Sequence, residues 1–527
     1  MNAAEQEALS KLLTHSHIID HQLRLSEANT ATFKTHQSSK LIVQVGALED
    51  ITKLVQFASR QKLTVYTISQ GKNWGFGSKV PAQDCDILLD LSLMNKILSY
   101  DKDFGTIRIE PGVTFFQLTQ FLKENGNVYF LNNIGGDPHA SVLGNILERG
   151  DGVGPYCERS EYACAPEVIL SSGEVINIGF SNVKQSQNAQ LCKNGIGPGF
   201  QELFFQSNFG IVTKLTLWLC RVPQHFRTFS FSVGEEHSLS TLLDKLKTLY
   251  TKRILTSPVT FWNDYKQVSS SMAYPWQLKN NHTPLDRKTI KRISNNYNAW
   301  SIFGGIYVDH QRIGKLIQQQ VIRCLKGNIN KCSFISTLSN RKITLLKVLN
   351  RLLRLCKFNC DDLIHTWEQN PLLGASTNRG VKSLVWRKKN SALKVTNPNK
   401  QLCGVLWNAF ILPFNGKLIA EALSNIEQIL FDYRFEPIIS FIVINDRYVR
   451  VFQQLIFDRE NKEEDQRALA CHEKVFDYLE TSGYSHARLD ILSMANKTDM
   501  ILDRTLHTLI KQALDPEKVL SPKRYFA

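Results

Sequence analysis

Three clusters of glycine fall within the first 222 residues. They lie at 71–77 (GKNWGFG), 135–154 (GGDPHASVLGNILERGDGVG) and 195–199 (GIGPG). Glycine at this density lets the backbone approach a flat or anionic ligand where any Cβ would collide, and a row of bare amide N–H groups suits a pyrophosphate. Each cluster taken alone also reads as a plain surface connection. The chain has no GxxxxGK[ST], no GxGxxG placed between strand and helix, no HExxH, no GxSxG elbow and no zinc-type Cys/His spacing. P-loop, Rossmann, hydrolase and metalloenzyme readings therefore lack their donor sets.

The elements around these clusters are legible from periodicity. Residues 1–36 read as a polar, helical lead-in. A strand at 41–45, a helix at 47–62 and a strand at 63–68 then run directly into the first cluster, a small βαβ unit. Strands follow at 87–91 and 106–109, and a helix starts at Glu110-Pro111-Gly112-Val113-Thr114. Strands at 167–170 and 175–178, joined by Ser171-Ser172-Gly173, supply a sheet behind the second cluster. Pro223 marks a change of character. From 224 to 482, strands at 229–233, 299–308, 404–412, 439–445 and 449–457 alternate with amphipathic helices, among them 238–250, 312–326, 342–356, 417–433 and 463–480. This order predicts an antiparallel sheet covered on one face. A last helix is expected at 499–513. The fold class is α+β, with units at 1–222 and 223–482 and a C-terminal segment at 483–527.

A chain of 527 residues is too long for a single core. Its 43% hydrophobic and 21% charged residues are ordinary for a globular protein. Lys+Arg 63 against Asp+Glu 48 gives a net +15, but the charge is scattered. It reads as a solvated basic surface sooner than as a nucleic-acid patch, so no nucleic-acid partner is expected. The 11 cysteines have no CxxC pairing. No apolar h-region or membrane-length run is present, so the expected location is cytoplasmic with reduced thiols and no membrane partner.

Several blocks carry a resemblance. QGKNWGFGSKVP (70–81), IEPGVTFFQLTQFLKENG (109–126), VLGNILERGDGVGPYCERSEYACAPEVILSSGEVI (142–176) and GPGFQELFFQSNFGIVTKLTLWL (197–219) resemble the flavin-binding domain of the vanillyl-alcohol oxidase / p-cresol methylhydroxylase family. LLGASTNRGVKSLVWRKK (372–389), CGVLWNAFILPFNGK (403–417), FEPIISFIVINDR (435–447), SGYSHARLDI (482–491) and DPEKVLSP (515–522) resemble the remainder of its 4-phenol oxidase branch. The resemblance implies a PCMH-type FAD-binding domain of two subdomains, a substrate (cap) domain, and a C-terminal segment returning to the flavin. It implies an FAD-dependent oxidoreductase passing hydride from a small organic donor (an alcohol, phenol or related C–H compound) to flavin N5, with O2 or an electron carrier as acceptor. It also allows a homodimer. By motif, Gly71, Lys72, Asn73, Trp74, Gly75 and Gly77 surround the pyrophosphate, Pro111, Gly112 and Val113 support the adenine side, Gly135, Gly136, Gly144, Asn145, Glu148, Arg149 and Gly150 line the second face, and Val175 and Ile176 reach the adenine–ribose end.

The departures matter equally. The positions where relatives link FAD covalently carry Trp74, Arg450 or Val451 here, with Tyr448 the remaining candidate, so non-covalent FAD is expected. Of a phenolate-binding trio of two tyrosines and an arginine, only Arg488 remains; Ala487 and Phe76 stand for the tyrosines. Arg488 is a catalytic candidate that could receive a carboxylate or simply pair with Asp490 or another acid. Asp137, with His139 as its neighbour, and His486 are the candidate bases. The competing reading is a flavin-fold module that has lost turnover and serves binding or assembly.

Overall fold

The computed structural model describes residues 3–234, 238–278, 284–294, 298–336, 370–375, 377, 379–389, 397–497 and 505–526. Its first sheet contains β1 (Ser16–Ile19), β2 (Ser39–Val45), β3 (Val65–Ile68) and β4 (Cys85–Asp90) in the order β1-β2-β4-β3. β2 and β3 both run parallel to β4, with the helix Leu48–Gln61 as the crossover. Ile51, Leu54, Val55 and Ala58 of that helix bury against Leu41, Val43, Ile87 and Leu89, which is why a 3.6-residue pattern between two apolar runs forms this unit. β1 lies inside the stretch expected to be helical. Four residues without alternation carry no strand signal. Tertiary contacts hold them, because Asp50 of the crossover helix accepts from the His15 amide (2.6 Å) and the Ser16 hydroxyl (2.6 Å).

The second sheet comprises β5 (Ile97–Asp101), β6 (Thr106–Ile109), β8 (Ala163–Ile169), β9 (Val175–Asn177) and β10 (Ile211–Trp218), ordered β5-β6-β10-β8-β9; a short pair, β7 (Tyr129–Phe130) and β11 (Cys220–Arg221), lies apart. The helices Phe115–Glu124 and Val142–Leu147 pack into its core. Thr114 and Ser141 cap them, each accepting from an amide of the first turn. Ser141 also donates to the Pro111 carbonyl at 2.6 Å, which ties the start of the second glycine cluster to the 111–113 turn.

The third sheet is antiparallel and eight-stranded: β12 (His225–Val233), β13 (Val259–Asn263), β14 (Trp300–Val308), β15 (Lys331–Ser336), β16 (Cys403–Pro413), β17 (Ile438–Val443), β18 (Tyr448–Asp458) and β19 (Ser485–Arg488), in the order β15-β12-β14-β13-β17-β18-β16-β19. Phe229, Phe231, Phe261, Phe410, Phe441 and Val451 point to the face packed by the helices Leu239–Thr251, Gln311–Leu325, Gly416–Asp432 and Lys462–Thr481. The residues alternating with them point the other way and are left to form a roof. The leucine-rich segment at 342–356 lies outside the described residues. β19 belongs to this sheet, so the return to the first unit begins after Arg488. It ends with Val519–Ser521 alongside β3, where the Val65 amide donates to the Val519 carbonyl (2.8 Å) and the Ser521 amide to the Val65 carbonyl (2.7 Å).

Candidate functional site

One cavity of about 1900 Å³ runs between the glycine loops of the first two sheets and the open face of the third. At one end it is lined by Gly71, Lys72, Asn73 and Trp74, whose backbone amides donate to no other group among the described residues. Unpaired amides in a protein wall need a partner, and successive ones make an anion-binding nest. The loop is folded by its own backbone: the Asn73 carbonyl accepts from the amides of Phe76 and Ser78 at 3.1 and 2.9 Å. Gly75 is not among the lining residues. Its φ of +80° and its contact with Trp407 of β16, whose indole a Cβ would meet, explain the glycine as a packing requirement at the seam between units.

The opposite wall is the second cluster. Gly135, Gly136, Asp137, Gly144, Asn145, Glu148, Arg149 and Gly150 all line the cavity. Asn145 Oδ1 accepts from the Arg159 guanidinium at 2.6 Å, and that guanidinium also donates to the carbonyls of Gly150 (2.9 Å) and Asn132 (3.0 Å). Burial pulls Arg159 down to about 10, still protonated at neutral pH, so it staples the loop. Asp137 is paired with Lys72 at 3.1 Å across the cavity mouth. Arg149 pairs outward with Glu202 at 3.4 Å.

Glu148 is the hub of this end. It forms an ion pair with Arg524, accepts from the Tyr525 hydroxyl at 2.8 Å, and lies 3.1 Å from Arg488 Nε. Arg488 also donates to Asn73 Oδ1 at 2.5 Å and stacks over the Phe76 ring at 4.3 Å. Its acid is therefore Glu148 and not Asp490, which pairs with His472 at 2.9 Å and caps the helix Ile491–Asn496. Burial lowers Arg488 from its ordinary value while the Tyr525 contact opposes this.

The roof comes from one face of the third sheet: Thr228 and Ser230 of β12, Thr260 and Trp262 of β13, Phe303 of β14, Trp407 of β16, Ser440 of β17, Arg450 and Phe452 of β18. Lys266 lies just beyond β13 in the helix Asp264–Ser271 and lines the cavity too. Arg450 forms an ion pair with Asp151 and lies 3.0 Å from Glu158. Asp151 Oδ2 is buried with no partner among the described residues, and burial pushes that carboxyl up while Arg450 opposes the shift.

Other expected residues lie elsewhere. Gly112 and Val113 form the layer behind the wall; a Cβ on Gly112 would strike the carbonyls of Ser92 and Met94, and only Pro111 of that turn lines the cavity. Val175 and Ile176 sit on edge strand β9 and do not line it. His486 does not line it either. Its ring stacks on Phe476 at 4.0 Å, and burial pulls it down to about 4, so it is a neutral packing residue at pH 7. Glu480 lies 3.2 Å from its Nε2 but without hydrogen-bond geometry. Strict alternation would put residues 486 and 488 on one face, but the pairing of β19 with β16 shifts register between Ala409 and Phe410, so Arg488 opposite Ala409 faces the cavity while His486 opposite Phe410 lies against Phe476. His139 is exposed. The Tyr448 hydroxyl turns to Glu158 at 2.5 Å, and among the described residues no histidine lines the cavity. Trp262, Lys266, Trp407, Asp151 and Arg524 escaped the sequence reading because their partners are hundreds of positions away; only the alternation of β16 gave a hint of Trp407.

These walls fit FAD. The cavity, at about 1900 Å³, has room for a dinucleotide and has a nest for its pyrophosphate. Its first-unit lining also holds the buried hydroxyls of Thr67 and Ser207, which have no partner among the described residues and need one.

A model described as an FAD binding domain matches residues 39–179, the segment that carries the nest and the second cluster. The chain is 35% identical over 522 residues to 1'-carboxy-chondrochloren decarboxylase of Chondromyces crocatus, covering 98% of this chain and 96% of the relative. It is 25% identical to the 4-cresol dehydrogenase [hydroxylating] flavoprotein subunit of Pseudomonas putida, covering 92% and 87%. Among solved structures, p-cresol methylhydroxylase with substrate bound superposes with a TM-score of 0.86 at 23% identity over 100% of this chain and 97% of the other. The 4-ethylphenol oxidase of Gulosibacter chungangensis gives the same TM-score at 19% identity, covering 100% and 98%. No helix among the described residues is long and apolar enough to cross a membrane. With a nest for a pyrophosphate, an FAD-domain match over it and a relative aligned along nearly its whole length, the chain belongs to the vanillyl-alcohol oxidase / p-cresol methylhydroxylase family of FAD-dependent oxidoreductases, which act on small organic molecules.

Proposed function

We propose that this protein oxidises a small aromatic or alcohol donor at a C–H bond, the donor losing a hydride from carbon and a proton from its hydroxyl. Bound FAD supplies the two-electron acceptor, later reoxidised by O2 or an electron carrier. The observation that carries the reading is the continuity of one cavity from unpaired amides to an aromatic roof. Gly71, Lys72, Asn73 and Trp74 hold the pyrophosphate with backbone donors, and Asn145, Gly150 and Glu148 shape the second wall. Trp262, Phe303, Trp407 and Phe452 give a flat donor apolar surfaces and exclude water. Asp151 is the group placed to take the hydroxyl proton: Arg450 orients one carboxylate oxygen, and the other is free and buried, where proton affinity rises. Asp137, held by Lys72 at 3.1 Å, orders the cavity mouth, and Arg488 positions Glu148, Asn73 and Phe76.

Phe76 and Ala487 offer no phenol-type donors and Arg488 already faces Glu148, so the donor differs from a plain 4-alkylphenol. The Chondromyces relative is named for a carboxylated compound, and a donor bearing a carboxylate is proposed here. Non-covalent FAD, a homodimer, a cytoplasmic location and no nucleic-acid partner complete the reading.

The test is anaerobic addition of alcohols, phenols and aryl carboxylic acids to the yellow protein. Bleaching of the visible flavin band supports it. A panel without any bleaching favours the second reading, a binding or assembly module, which the loss of both phenol donors would suit. Denaturation should leave the flavin in the filtrate, and light scattering reads the assembly.

A further inference from the structure

Most cations at the cavity lining are already paired with carboxylates. Arg450 faces Asp151 and Glu158, Arg488 and Arg524 face Glu148, and Lys72 faces Asp137. Lys266 is different. It is 5% exposed, lines the cavity, and has no carboxylate partner among the described residues. Its ammonium donates to Ser383 Oγ at 3.1 Å and Gln454 Oε1 at 3.2 Å, both neutral, which leaves a third N–H without a protein acceptor among the described residues. The indole rings of Trp262 and Trp407 lie 5.6 and 5.8 Å from Nζ, and both also line the cavity. Burial without a counter-charge pulls the lysine down to about 8, so at neutral pH it remains mostly charged in a place where a lone charge is costly.

We propose that Lys266, between Trp262 and Trp407, is the seat for a carboxylate carried by the organic substrate. The proposal rests on the oxidoreductase reading above and names the substrate class: small aromatic acids, with the ring against the indoles and the acid on the ammonium. A carboxylate meeting a desolvated ammonium gives a charge-assisted hydrogen bond, and its neutral isostere forfeits that interaction. The anion cannot be handed to Arg488, because Glu148 already occupies that side.

The test is a binding measurement on the FAD-loaded protein, read by perturbation of the flavin spectrum and quenching of tryptophan fluorescence. The probes are benzoate, phenylacetate, 3-phenylpropanoate and 3-(4-hydroxyphenyl)propanoate, each beside its primary amide. At least one acid should bind about tenfold or more tighter than its amide. Lys266→Met should erase that ratio while leaving the amide's affinity within about twofold, and Lys266→Arg should keep part of it. If no acid outbinds its amide in the unaltered protein, or if Lys266→Met keeps the preference, the proposal is overturned. It is also overturned if Lys266→Met sheds FAD with the ratio intact, since the lysine then serves the cofactor. The oxidoreductase reading is judged separately by flavin bleaching with neutral donors, which does not require Lys266.

Discussion

The two ends of the cavity handle charge in opposite ways. At the glycine-loop end, the charged side chains that line the cavity are matched before any ligand arrives: Glu148 serves Arg488 and Arg524 and Asp137 serves Lys72, while Arg159, behind the lining, is held by neutral oxygens and the lining amides and hydroxyls are left unpaired. Under the third sheet, one hydroxyl, one carboxamide oxygen and two indole rings surround Lys266, whose ammonium meets no acid among the described residues. Amides can bind a phosphate strongly without carrying a net charge of their own, so the cofactor end needs no lone buried cation to hold a dianion. The roof keeps one desolvated charge in reserve. On the function proposed above, the difference separates lasting cofactor binding from selection of a substrate that comes and goes.

The largest effect expected from breaking this pattern is at Glu148. Glu148→Gln leaves two guanidiniums facing each other in a buried place. A loss of about 3–5 kcal/mol is expected, with flavin released as the C-terminal segment loosens. Thermal melts and the flavin content of the purified variant check it. Asp151→Asn keeps the shape but not the proton acceptor. The rate of anaerobic flavin bleaching should fall by about 10²-fold or more while FAD stays bound. An unchanged rate would move the base elsewhere.

The seam between the two ends is tested by Gly75→Ala. A Cβ there meets the Trp407 indole at a backbone φ of +80°. Roughly 2–3 kcal/mol of destabilisation should appear in denaturant melts, because both the contact and the backbone conformation oppose it. The smallest effect concerns His486, outside both ends. Its folded-state value is depressed to about 4, so the unfolded chain binds more protons between about pH 4 and 6.5. Stability from the neutral ring is complete above that window and falls as pH drops through it. Between pH 6.5 and 5 the loss should be roughly 1–2 kcal/mol. His486→Phe should flatten that part of the stability–pH curve, with little change in flavin bleaching at pH 7.

Most elements were readable because their reasons are local. The helix Leu48–Gln61 is set by apolar residues at helical spacing, and five strands of the third sheet by their own apolar runs, whereas β13, β15 and β19 were not read from the sequence. β1 was not readable: it exists because Asp50 holds Thr14–Ser16 against β2. At the site, the glycine motif located the nest, but part of its glycine content answers to packing. Gly75 makes room for Trp407 and Gly112 for Ser92, and neither glycine lines the cavity. His486 looked like a base because it is two residues from Arg488. Period-two alternation alone would have set both on one face; the pairing irregularity beside Ala409 separates them and leaves the imidazole on Phe476.

What the sequence by itself determined is the material for a dinucleotide cradle: dense glycine on loops after a βαβ unit, capping Thr114 and Ser141, and a second unit with one apolar face. Those features depend on neighbours a few residues apart. Which acid answers which base was decided only by the tertiary structure. Glu148 meets Arg524 across 376 positions and Arg450 meets Asp151 across 299, while Lys266 is left without an acid among the described residues. Charge pairing depends on distance in space and on the exclusion of water, and neither is written along the chain.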